Sequence, residues 1–221
     1  MSERIAIVGG TGREGLGLAA RWSAAGHEVH IGSRDAQRAS DRAAELNGAR
    51  AEGAPEIGWG ANHEVVPHAD VVVLTVPWKA HRATLEGLAG TLDGKLVIDI
   101  TIPLAPPKVT QVSLPEGGSA AAQTKALVGG QAHVAVTLHH VSSGHLADPE
   151  HAFDCDVLVC ADDPDARSRT MALVMDLGLN AIDAGVLANA VALESLTPVL
   201  LHINRTYGVK GAGIRVTGLE S

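Results

Sequence analysis

The segment Gly10-Thr11-Gly12-Arg13-Glu14-Gly15, which follows the apolar run Ile5-Ala6-Ile7-Val8, constrains this chain more than any other feature. A G-x-G-x-x-G between a strand and a helix is the turn of a βαβ unit that holds a dinucleotide. Gly10 permits the tight turn, Gly12 lets the backbone approach a pyrophosphate, and Gly15 lets the helix lie close to the strand. The N-terminus of that helix then offers free N–H groups and a partial positive charge to an anion. In a chain with 25 glycines the pattern alone is weak. Its weight comes from the strand before it and the amphipathic segment Leu16 to Ala25 after it.

About 20 residues on, the next apolar run closes with Gly32-Ser33-Arg34. An NAD site of this kind places Asp or Glu there to bind the ribose 2′-hydroxyl. This chain has Ser33, with Arg34 next and Arg38 one helical turn further. A carboxylate would repel a 2′-phosphate, whereas a hydroxyl and two guanidiniums attract it, so the expected cofactor is NADP(H).

With 221 residues, 46% of them hydrophobic and 19% charged, the chain can bury a full core. A formal charge of −8 argues against nucleic acid or an anionic membrane as the main partner. No apolar stretch reaches spanning length and the first residues lack a signal-peptide pattern, so the expected compartment is the cytoplasm. Cys155 and Cys160 flank a strand-like run and would lie about 16 Å apart on opposite faces, beyond disulfide reach, as reduced packing residues. Only 2% of residues are aromatic, which leaves no stacking box for a tightly held flavin.

The spacing predicts strands over Arg4 to Val8, Glu28 to Gly32, Asp70 to Val76, Leu96 to Ile100 and His133 to Leu138, with helical segments between most of them. Continuous apolar strands are those of a parallel sheet buried on both faces. The expected fold is α/β: a Rossmann-type, doubly wound parallel sheet over residues 1–138 that binds NADP, then a smaller C-terminal α/β substrate domain over 139–221. That second part is expected to hold a short strand around Val157, a helix over Pro164 to Asp176 and a long helix from Ala188. In the long helix Leu193, Leu196, Leu200 and Ile203 form one apolar stripe, suited to the chain's own sheet or to a second subunit. Pro198 inside it is expected to kink it.

Ligands of open α/β sheets lie beyond the carboxyl ends of the strands. Val76-Pro77-Trp78, Thr101-Ile102-Pro103 and His139-His140-Val141 each follow such an end, and a nicotinamide would sit among them. Lys79 and Pro103 read as ordinary strand-terminating positions. Eleven histidines invite a metal, but no spacing on one helix or strand suits one, so no metal site is expected. Nor is there a Gly-x-Ser-x-Gly elbow for hydrolysis. At a strand end above a cofactor, His139 reads as a ligand contact rather than a satisfied core histidine.

Gly9-Gly10-Thr11-Gly12 with Gly15, Gly32-Ser33-Arg34-Asp35, Leu74-Thr75-Val76-Pro77-Trp78, His139-His140-Val141-Ser142, Asp154-Cys155-Asp156, Glu194-Ser195-Leu196-Thr197-Pro198 and the closing Gly213-Ile214-Arg215-Val216-Thr217-Gly218-Leu219 run almost end to end. In these the chain resembles the NADPH-dependent coenzyme F420 reductases, their actinobacterial branch in particular. The resemblance implies reversible hydride transfer between NADPH and the deazaflavin F420 as co-substrate, in a homodimer whose C-terminal part covers the cleft. It also implies that Thr11 to Glu14 hold the pyrophosphate, that Ser33, Arg34 and Arg38 hold the 2′-phosphate, and that Val76 and Ile102 line the nicotinamide side. His139 and Val141 would face the deazaflavin with Ser143 nearby, His139 positioning the ring without donating a proton. Gly144-His145 and Lys210-Gly211 depart from the family pattern, which bears on contacts to the deazaflavin's acidic tail. Two other readings stay open: an NADPH reductase of a flavin or ferric chelate, and a non-enzymatic NADP sensor.

Overall fold

Eight strands form a single sheet in the order β3-β2-β1-β4-β5-β6-β7-β8. In chain order they are β1 (Arg4–Val8), β2 (Glu28–Ser33), β3 (Gly58–Ala61), β4 (Val71–Leu74), β5 (Leu96–Asp99), β6 (His133–Val136), β7 (Asp156–Ala161) and β8 (Asn180–Asp183). Between and after them lie α1 (Arg13–Ala24), α2 (Ala36–Gly48), α3 (Asn62–Val65), α4 (Trp78–Gly87), α5 (Ala120–Val128), α6 (Ser143–Leu146), α7 (Pro164–Asp176) and α8 (Ala190–Tyr207). The computed structural model describes residues 2–219.

From β3 to β6 all neighbouring strands run parallel, so the expected doubly wound α/β sheet is present, with its switch point between β1 and β4. Ile5, Ile7, Val71 and Val73 face one layer of helices, and Ala6, Val8, Val72 and Leu74 face the other. Burial on both faces is the reason these strands carry no polar alternation.

At Leu138 the chain leaves the parallel sheet through a left-handed turn, φ 66°. It returns as β7, antiparallel to β6, with Val136 opposite Cys160, and β8 then adds parallel to β7. The sheet therefore continues past residue 138, and Val157 and Val159 share a core with Ile5 and Ile7. Across this core the fully buried Trp22 of α1 donates its indole N–H to the Leu173 carbonyl of α7 at 2.9 Å. Arg21, one residue before, donates to the carbonyls of Leu146 and Leu177 at 3.0 and 3.2 Å. That anchors the segment after β6 on α1.

Local chemistry sets the helix ends. Asp35 caps α2 by accepting the Arg38 N–H at 3.2 Å, Ser119 caps α5 by accepting from Ala122 at 3.0 Å, and Asp163 caps α7 ahead of Pro164. The long C-terminal helix starts at Ala190, two residues later than expected, and runs to Gly208 in left-handed conformation, φ 67°. It continues as one element through buried Pro198, which lacks the N–H that would reach the Glu194 carbonyl.

Candidate active site

The glycine turn sits at the switch point, between the carboxyl ends of β1 and β4. Gly9 rather than Gly10 carries the left-handed backbone, φ 76°, and a Cβ there would lie 2.7 Å from Val76 Cγ1. Gly10 is required for closeness instead: a Cβ would lie 2.7 Å from the Ile7 carbonyl oxygen. Gly15 packs helix against turn, its own Cβ position being 2.6 Å from Gly10 Cα. At Gly12 the nearest atom to a Cβ would be 4.0 Å away. That openness leaves the backbone accessible to a ligand, and Gly12 caps α1 without any side-chain acceptor, so the first-turn amides stay available to an anion. Thr11 is buried beneath the turn and Arg13 is exposed above it. Half-buried Glu14 has its carboxyl pushed up to about 7 by burial.

Beyond the ends of β2 and β3 lies a cleft of about 580 Å³ whose lining includes Ser33, Arg34, Asn62, His63, Pro77 and Lys79. Arg34 and Arg38 are exposed on its α2 side. Ser33 is buried and accepts the Asp35 N–H at 3.1 Å, while the Asp35 carboxylate is engaged in capping α2. The acid beside Arg34 in the sequence is thus engaged at a helix end, and Arg34 and Lys79 bring positive charge to the cleft. These residues fit a 2′-phosphorylated dinucleotide.

Asn62, His63 and Lys79 were not recognised as site residues in the sequence. Asn62 Oδ1 accepts the Gly9 N–H at 3.3 Å and so ties the glycine turn to the end of β3. The sign of it was hidden, because Gly58-Trp59-Gly60-Ala61 lacks the β-branched residues that mark a strand.

The three turns expected to bracket a nicotinamide are all at strand ends. Trp78 opens α4, half-buried, after exposed Pro77 and half-buried Val76. Thr101 and Ile102 follow β5, Thr101 buried and Ile102 half-buried. After β6, Val141 and Ser143 are half-buried, and a Cβ on adjacent Gly144 would lie 3.5 Å from Arg13 Nη2. Arg13 of the glycine turn and the post-β6 segment are therefore neighbours.

His139 lies beneath that surface, only 3% exposed. Both of its ring nitrogens lack a hydrogen-bond partner, its carbonyl accepts the Thr197 hydroxyl of α8, and burial pushes its pKa down to about 4 despite the Asp99 charge nearby. The ring is therefore neutral at physiological pH. His140, also buried, lies in the segment after β6 and donates Nε2–H to the Asp156 carbonyl of β7 at 3.0 Å, which ties that segment to the strand. Among the described residues no group of three His, Cys, Asp or Glu side chains is arranged to hold a metal.

A dinucleotide turn at a switch point, a cationic ribose-end cleft and a half-buried ring site beside it define a Rossmann-type NADP-dependent oxidoreductase. Comparison with known proteins narrows the class. A family model described as NADP oxidoreductase, coenzyme F420-dependent, matches residues 4–103. The F420-dependent NADP reductase of Methanothermobacter thermautotrophicus is 37% identical over 99% of this chain and 97% of its own length. That of Methanocaldococcus jannaschii is 36% identical over 98% of this chain and 99% of its own. A crystal structure of a candidate F420-dependent NADP reductase from Arthrobacter sp. FB24 superposes with a TM-score of 0.78 at 27% identity, covering 98% of this chain and 100% of that one. The chain belongs to the F420-dependent NADP reductase family.

Proposed function

We propose that the chain transfers a hydride reversibly between NADP(H) and coenzyme F420, a reading carried above all by its near full-length identity to reductases of that name. With both coenzymes bound, C4 of the nicotinamide and C5 of the deazaflavin supply the hydride chemistry. The protein supplies geometry: two flat rings about 3 to 3.5 Å apart with water excluded, a task that needs no acid in the same step.

Each part of the cleft then has a role. The Thr11–Gly15 turn and the N-terminus of α1 receive the pyrophosphate. Ser33, Arg34 and Arg38 receive the 2′-phosphate, and the openness at Gly12 together with the cationic cleft supports this placement. Val76, Pro77, Trp78 and Ile102 line the nicotinamide side. Val141 and Ser143 line the deazaflavin side, with His139 supporting that wall from below as a neutral, positioning ring.

In this reading residues 139–221 act as a substrate-side unit that covers the cleft and meets a second copy of the chain in a homodimer. Half-buried Leu196 and Ile203 and exposed Val199 and Tyr207 on α8 support the dimer, since they leave apolar area uncovered in one chain. Free thiols at Cys155 and Cys160 suit the reducing cytoplasm, which cell fractionation would test.

The deciding experiment follows the deazaflavin absorbance on adding NADPH and protein, beside the same assay with free flavin and with a ferric chelate. Bleaching of the deazaflavin band is expected. Reduction of flavin or ferric chelate with the F420 band unchanged would overturn the reading.

A further inference from the structure

Beneath the ring site, three side chains from three different elements meet with no exposure to solvent: His81 of α4, Asp99 at the end of β5 and Thr124 of α5. Asp99 Oδ2 accepts the Thr124 hydroxyl at 2.6 Å and lies 2.9 Å from His81 Nε2, which is also 2.8 Å from Thr124 Oγ1. An ionised carboxylate only accepts, so Nε2 carries the hydrogen and donates it to this pair. Asp99 Oδ1 accepts the backbone N–H of Thr101 at 2.9 Å. Burial opposes the charge on Asp99, but His81 first, then Thr124 and Thr101, hold its pKa below the usual carboxylate range.

The directions of these bonds matter more than their number. Asp99 reaches the turn after β5 through Thr101, next to Ile102. It reaches the turn after β4 through His81, whose ring lies 5.1 Å from that of Trp78 in the first turn of α4. One buried carboxylate is thus common to two of the three turns that bracket the rings, although none of its hydrogen-bond partners lines the cleft.

We propose that His81 and Thr124 are positioning residues for hydride transfer, acting through Asp99 to fix the Trp78 and Ile102 turns relative to one another. This rests on the F420 reductase reading and adds the residues that set its ring geometry. Most NADP affinity comes from the phosphate contacts of the glycine turn and the Ser33–Arg38 cluster, which share no hydrogen bond with Asp99, His81 or Thr124, although Pro77 and Lys79 beside Trp78 line the same cleft. Loosening the Asp99 cluster therefore lowers the transfer rate and leaves most dinucleotide affinity in place.

The test combines single-turnover reduction of F420 by NADPH and by its 4-deuterated form, NADP⁺ affinity by titration, and ¹⁵N-imidazole spectra of the ligand-free protein. His81→Leu should slow hydride transfer by about 10- to 100-fold, the scale of a small misplacement of reacting groups. NADP⁺ affinity should fall far less than the rate, because charge-assisted phosphate contacts that make no bond to the cluster carry most of it. His81→Gln, whose Nε2 can still donate to Asp99, should restore most of the rate. Thr124→Val removes one donor at nearly constant volume and decides the matter if His81→Leu does not fold; it should slow transfer in the same direction. In the native protein the His81 Nε2–H should appear as a slowly exchanging, downfield signal that Thr124→Val shifts. Folded variants that match the native transfer rate, or that lose NADP⁺ affinity in step with rate, would overturn the proposal. A native protein that leaves F420 unreduced would instead overturn the functional reading itself.

Discussion

Glu194→Gln should flatten the pH dependence of stability and loosen the joint between α8 and α5. The Glu194 carboxylate, 3% exposed, accepts the N–H of Ala120 at 2.7 Å and of Ala121 at 3.0 Å, at the start of α5. Burial is the largest influence on it and pushes its pKa from the ordinary 4.5 up to about 7, against the pull of the two amides. In the folded protein the group therefore keeps its proton to higher pH than in the unfolded chain. Its stabilising contribution is complete below about 4.5 and is lost as pH rises through about 7. At about 1.4 kcal/mol per tenfold change in proton affinity, the swing is on the order of 3 kcal/mol. Glutamine has no such titration, but its amide sets an N–H₂ against one of the two backbone donors, which costs about 1–3 kcal/mol for the donor left unpaired. Urea melts of both proteins between pH 5 and 8 measure the two effects. The native midpoint should fall more steeply across this range than the variant's, and the variant should be less stable at pH 5; the Glu14 carboxyl, also pushed up to about 7, titrates in both proteins and leaves the variant a shallower slope. Equal slopes for the two proteins would show that Glu194 is not the titrating group.

Arg34→Ala should raise the KM for NADPH by about tenfold, the low end for a charge-assisted phosphate contact because the side chain is exposed, and should leave NADH kinetics unchanged. Equal kcat/KM for NADPH and NADH in the native protein would refute that assignment. His139→Ala should cost about 10- to 100-fold in kcat/KM. It should remove no limb from the pH profile between 5 and 8, since the native ring is neutral there, with a pKa pushed down to about 4; loss of a limb would make His139 a proton donor. Light scattering at micromolar concentration should give the mass of two chains, and a single-chain mass would refute the role given to the exposed face of α8.

The central strands and the glycine turn were legible because their signals are local. Val71 to Leu74, three valines and a leucine in a row, carries the pattern of a strand buried on both faces, and the glycine spacing marks the turn between β1 and α1. Strand β3 escaped notice because its glycines answer to neighbours rather than to strand propensity: a Cβ at Gly58 would fall 2.2 Å from His30 Cδ2. Strand β8 is four residues long with Asn180 and Asp183 at its ends, too short and too polar to stand out. The Asp99 cluster was invisible for a different reason. His81 is 18 residues from Asp99 and 43 from Thr124, so nothing in the spacing announces that they meet. His139 was located at the right strand end, but its burial depends on α8, 58 residues away through Thr197.

The unbroken sheet has a mechanical consequence for how two coenzymes can be brought together. In an enzyme made of two lobes, a hinge opens the cleft and the ligands enter between the halves. Here the pairs Ala135–Ala161 and Val136–Cys160 stitch the strand before the turnover at Leu138 to the strand after it, and Arg21 and Trp22 bolt the later segments onto the first helix. The strands before and after Leu138 are therefore one plate. Swinging them apart would break ladder bonds and expose a shared core, so any opening of the molecule falls to the loops at its rim rather than to a hinge between lobes.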